Sequence, residues 1–155
     1  LHLHGRFVSG ELPSDDAKLV IKSGESYNYE IRLPEEHMPG THWYHPHRHG
    51  STSFQLSTGA AGLVIVEDPP GYLPEEIAAA TGVLLLVEAV DWEESSELAQ
   101  ESGASSDLFR IISPGSQTRA VIVNGQLRPT LTIDRNQWMR FRIANAGREG
   151  ESFDN

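Results

Sequence analysis

Apolar residues along this chain recur with a period of two. In SYNYEIRL, Tyr27, Tyr29, Ile31 and Leu33 alternate with Asn28, Glu30 and Arg32. Successive strand side chains point to opposite faces, so this alternation predicts a strand with one buried side over 27–33. Runs rich in β-branched or aromatic residues predict further strands over 19–22, 41–45, 61–67, 83–90, 120–123, 130–133 and 138–145. Turn signals fall between them, among them Ser23-Gly24, Pro39-Gly40, Pro114-Gly115 and Asn124-Gly125. Many short strands punctuated by Gly and Pro predict an all-β sandwich or barrel.

Two stretches break the pattern. EDPPGYLPEEIAAATG (67–82) holds three prolines and a short helix-compatible run, and reads as a linker between two sandwich units. EESSELAQESGASSD (93–107) is acidic and serine-rich without an apolar period, and reads as an exposed loop.

Composition narrows the function classes. Hydrophobic residues make up 38% and charged residues 22% of 155 positions, an ordinary globular mixture. With 22 acidic against 12 basic residues the formal net charge is -10, which repels phosphate backbones and argues against nucleic acid as a partner. No apolar run approaches the roughly 20 residues of a membrane-spanning helix. The absence of cysteine excludes thiolate zinc and copper-thiolate centres within these residues.

The chemistry lies in the histidines, seven in all. His2-x-His4 and His45-x-His47 are both i, i+2 pairs, which a strand presents on one face about 6.5–7 Å apart. Side by side, the two segments would bring four neutral imidazoles together, and imidazole suits copper, zinc, iron and nickel. That spacing is wide for chelation of one ion by a single pair but suits several ions lying close together. A lone strand histidine more often meets solvent or a core hydrogen bond, and His37 is read that way. His42, on the face opposite His45, is read likewise, and His49 is read as a possible orienting neighbour. Pro46, between His45 and His47, lacks a backbone donor and predicts that this strand runs at a sheet edge or boundary.

The segments LHLHG and GTHWYHPHRHGSTSFQLSTGAAGLVIVEDP resemble the first cupredoxin domain of the multicopper oxidases, the family of laccases, ferroxidases and bilirubin oxidases. VLLLVEAVDW resembles the opening strand of that family's second domain, and VIVNGQLRPTLTIDRNQWMRFRIANAG its middle. The resemblance implies a cupredoxin-like Greek-key β-sandwich fold, with parts of two consecutive domains. Residues 1–70 are then the C-terminal part of the first domain, 71–82 a linker, and 83–155 the N-terminal part of the second. It further implies that His2 binds the type 2 copper of a trinuclear cluster, His4 and His45 share one type 3 copper, and His47 binds the other. The remaining four cluster histidines and the type 1 copper ligands lie, in the family, in a C-terminal domain. Near the cluster the family places an acidic residue for proton supply, for which Asp15 and Asp16 are the candidates here.

The implied activity is oxidation of a phenolic or metal-ion substrate one electron at a time, coupled to four-electron reduction of dioxygen to water. The isolated segment is expected to be inactive, and secretion or a periplasmic location follows only from the resemblance. The alternative is a non-catalytic copper-binding or copper-tolerance protein, although methionine-rich segments would favour it and only Met38 and Met139 are present. A copper-free scaffold would have no need of both histidine pairs. A nitrite reductase would carry a cysteine after the second pair.

Overall fold

The computed structural model describes residues 1–5, 7–94, 109–111 and 119–147. The expected loop over 93–107 falls mostly outside them, although Glu93 and Glu94 belong to a strand. Among the described residues the chain is mostly β, as the alternation predicts. β1 (His2–His4), β2 (Gly40–His45) and β3 (Gly62–Val66) form an antiparallel three-stranded sheet in that order. Two short helices, α1 (Thr52–Ser57) and α2 (Glu75–Ala78), flank β3 in sequence. The helix-compatible run of the linker is thus α2.

A second sheet is organised on β4 (Thr81–Glu94), whose apolar run gives fourteen residues of strand. β5 (Phe109–Ile111), β6 (Arg119–Val123) and β7 (Gln126–Leu127) join it in the order β5-β4-β6-β7. β8 (Met139–Asn145) pairs with the first half of β4 in parallel, Leu86 opposite Ala144. The β6–β7 turn is Asn124-Gly125, both at positive φ (51° and 73°), as a two-residue hairpin turn of right-handed strands requires. Asn124 also joins β6 to β4. Its Nδ2 donates to the Leu84 carbonyl, and its Oδ1 accepts from the Leu86 N–H, both at 2.8 Å.

The two sheets meet through a small apolar core. Leu86, Ala144 and Ala146 are buried, and Trp43 and Leu63 of the first sheet, with Ala61 just before β3, pack against them. Polar groups reinforce the join. Asp68, just past β3, accepts hydrogen bonds from Arg140 and, at 2.6 Å, from Arg142 of β8. The Arg140 hydrogen bond holds the Asp68 carboxyl below the usual carboxylate range.

Four expectations change. Residues 19–22, 27–33 and 130–133 are not strands. Extended backbone becomes a strand only with a ladder partner, and among the described residues the loop and turn bonds from 27–33 include only Glu30 N–H to the Pro13 carbonyl, at 2.9 Å. β2 is the central strand of its sheet rather than an edge. Pro46 is tolerated because β2 ends at His45, so its missing donor costs no ladder bond.

Candidate metal centre

Strand pairing sets up the site. In the β1–β2 register His2 lies opposite His45 and His4 opposite Trp43. The H-x-H spacing puts His2 and His4 on one face of β1, and Trp43 and His45 share the matching face of β2. The His2 ring centroid consequently lies 4.7 Å from that of His4, 5.6 Å from His45 and 5.1 Å from His47. His45 and His47 are 5.8 Å apart. All four predicted ligands therefore share one cluster.

Hydrogen bonds decide which ring nitrogens point inward. His45 Nδ1 lies 2.8 Å from the Pro46 carbonyl, which can only accept, so Nδ1 carries the proton and Nε2 keeps its lone pair. His2 Nδ1 sits 3.0 Å from Asp15 Oδ2, an acceptor that in the neutral ring puts the proton on Nδ1 and leaves the lone pair on Nε2. A metal-bound imidazole characteristically donates its other N–H to a carboxylate or a backbone carbonyl, and both kinds of partner occur here.

Asp15 is held firmly. Its side chain is 6% exposed, and Oδ2 also accepts from the Leu3 N–H at 2.9 Å. Asp16, by contrast, turns to the local backbone and accepts from the Lys18 N–H at 2.8 Å. Spacing alone could not separate these neighbouring acids, because the distinction depends on which of them the folded chain brings against β1.

The donor set fits copper or another imidazole-binding ion. His4 Nε2 and His45 Nε2 are 2.9 Å apart, a hydrogen bond in which His4 Nε2–H donates to the bare His45 Nε2 and whose proton an ion would displace. Two imidazole nitrogens bound to one ion at about 2.0–2.1 Å, at right angles, would lie about that far from each other. Among the described residues no three His, Asp or Glu side chains form a metal-holding group, so donors are available pairwise rather than as a closed cage. Burial, and then the neighbouring imidazoles, push the His4 ring below the usual histidine range. Burial does the same for His45 against the opposing Pro46 hydrogen bond. Both rings are thereby held in the neutral form that binds metals.

The remaining histidines stand apart. His42 lies against Gly5 and Gly40 on the other face of β2, with its ring 5.3 Å from that of His37. His37 accepts from the Phe7 N–H and donates through Nδ1 to the Met38 carbonyl. His49 is exposed. Trp43, absent from the sequence candidates, stacks on His4 with centroids 4.0 Å apart and planes at 11°. Its place two residues before His45 was the available signal.

Residues 1–71 match the family described as multicopper oxidase. Over 154 aligned positions the chain is 29% identical to a multicopper oxidase of Staphylococcus aureus, covering 93% of this chain and 30% of that protein. A multicopper oxidase of Staphylococcus haemolyticus matches with the same figures. An L-ascorbate oxidase of Brassica rapa subsp. pekinensis is 29% identical over 130 positions, covering 81% of this chain and 20% of that protein. The chain thus spans about a third or less of the length of these curated relatives. No solved structure matches it. Among the described residues no helix is long and apolar enough to cross a membrane. Over residues 1–71 in particular, the chain is thus similar to the multicopper oxidases.

Proposed function

We propose that this chain supplies half of the ligands of a trinuclear copper centre in an oxidase that reduces dioxygen to water. The observation that carries the reading is the 2.9 Å approach of His4 Nε2 to His45 Nε2 inside a cluster of four imidazoles. In this reading His4 and His45 hold one copper of the type 3 pair, His47 the other, and His2 the type 2 copper. Copper, when bound, supplies the redox chemistry that couples one-electron oxidation of a phenolic or metal-ion substrate, laccase-like, to dioxygen reduction.

The protein's own part is geometric. Asp15 fixes the His2 tautomer and, buried beside the cluster, is better placed than Asp16 to hand on a proton. Pro46 fixes the His45 tautomer through its carbonyl. The other cluster ligands and the type 1 copper site come from further domains of the full-length protein, with 1–70 and 83–155 as parts of two consecutive cupredoxin domains joined by 71–82. Secretion or a periplasmic location belongs to the same reading. The copper-tolerance alternative uses the same imidazoles without turnover.

His45→Ala in the full-length protein is expected to abolish dioxygen reduction while leaving the type 1 blue absorption in place. Oxygen uptake at the wild-type rate in that variant would overturn the reading.

A further inference from the structure

The lone pair of an imidazole nitrogen lies in the plane of the ring, so the orientation of that plane decides where the donor points. The backbone does not fix it. A histidine on a strand can still rotate about χ1 and χ2, and its terminal torsion is broad. The His4–His45 hydrogen bond aligns the two Nε2 atoms in the absence of an ion, but once an ion displaces its proton something else must hold the planes of the two rings.

Trp43 is placed to do so. In register it stands between His4 of β1 and Leu63 of β3, making one row across the sheet. Its indole lies nearly parallel to His4 at 4.0 Å and 11°, and against His45 at 5.1 Å and 27°. Trp43 also packs against the buried cluster formed by Leu86 of β4, Ala144 of β8 and Ala146 just past it. One rigid bicyclic side chain thus touches both imidazoles of the close pair and the apolar core. Offset stacking between flat rings favours near-parallel planes, an orientational preference that an aliphatic side chain lacks.

We propose that Trp43 is a positioning residue for the metal half-site, holding the planes of His4 and His45 so that their Nε2 atoms converge, and that the second sheet braces it from behind. The proposal rests on the reading of His4 and His45 as ligands of one ion. It assigns to the indole a role beyond filling space, and makes β4 and β8 part of the support of a site to which they contribute no ligand.

The test measures copper in the full-length protein by metal analysis after dialysis against a graded series of chelator concentrations, with the copper EPR spectrum recorded alongside. Wild type and His45→Ala come first. Equal copper and identical spectra in those two would show that His45 is no ligand and would overturn the function reading, and the Trp43 proposal with it.

Where they differ, Trp43→Leu is expected to lower copper affinity about 10- to 100-fold, the usual cost of losing a group that orients a ligand, and to change the EPR spectrum. Trp43→Phe, which restores a flat ring, is expected to remain within about threefold of wild type. Wild-type affinity and spectrum in Trp43→Leu would overturn the proposal and leave the function reading standing. Equal losses in the Phe and Leu variants would also overturn it, since volume rather than ring plane would then be what matters. If Trp43→Leu does not fold, Trp43→Met, apolar and of long reach but without a ring, decides between the same outcomes.

Discussion

On facing sides of one small core, the two sheets of this molecule do different work. The three-stranded sheet has strands of three, six and five residues, yet its site face presents His2, His4 and His45, with buried Asp15 behind them. The five-stranded sheet is built on a fourteen-residue strand and contributes Leu86, Ala144 and Ala146. All seven histidines precede residue 50, and none occurs from 51 onward. On the proposed reading, a metal half-site therefore needs little regular structure of its own. It needs donors in register, partners that fix their tautomers, and a larger body to hold them still.

The sharpest way to break that division is at Asp15. Asp15→Ala removes the partner of His2 Nδ1 and the acceptor of the Leu3 N–H together, and is expected to cost about 10- to 100-fold in copper affinity by chelator competition. Asp15→Asn keeps an acceptor oxygen and should lose less. If both variants bind copper as wild type does, the carboxylate plays no part in orienting His2.

Glu88 probes the supporting side. It is buried on β4, its Oε1 has no hydrogen-bond partner among the described residues, and burial raises its carboxyl above the ordinary value. An acid whose folded-state value is raised binds more protons folded than unfolded. Its favourable contribution is thus full below the ordinary carboxylate range and is lost as pH rises through the raised value. Glu88→Met is expected to flatten this fall and to raise stability at neutral pH by about 1–3 kcal/mol, the cost of one unsatisfied buried polar group. Denaturant melts at pH 4, 5.5 and 7 read both effects, and parallel curves for variant and wild type would contradict them.

The smallest expected effect returns to the first sheet. A Cβ on Gly62 would stand 2.5 Å from the Tyr44 ring carbon Cζ and hydroxyl oxygen. Gly62→Ala should therefore destabilise by about 1 kcal/mol, at the low end for overpacking because the end of the tyrosine ring can swing aside. Thermal unfolding checks the magnitude, and Tyr44 side-chain NMR shifts report whether the ring has moved.

What was legible in the sequence follows from the range of each interaction. β2, β3, β4, β6 and β8 were visible because alternation or β-branched content is local, and Asn124-Gly125 because a two-residue hairpin leaves few choices. The histidine pairs were visible because their spacing alone puts them on one face. Residues 27–33 and 130–133 have strand-like composition, but a ladder is a long-range property. α1 was missed because six residues without a side-chain cap or charged termini leave little signal. The parallel pairing of β8 with β4, Asp15 as the partner of His2 and Trp43 as the plate behind His4 all depend on contacts that only the folded chain creates.

Asn124 has a consequence for how this molecule behaves in company. The edge of β4 that faces β6 carries no β6 ladder pair from Thr81 to Leu86 among the described residues, and an open strand edge is a template onto which a foreign chain can add. The Asn124 amide presents one donor and one acceptor at the spacing of a peptide unit, and occupies the Leu84 carbonyl and the Leu86 N–H. It acts as a one-residue counterfeit of the next strand, so a residue suited to a tight turn also occupies two backbone groups that a foreign strand would need.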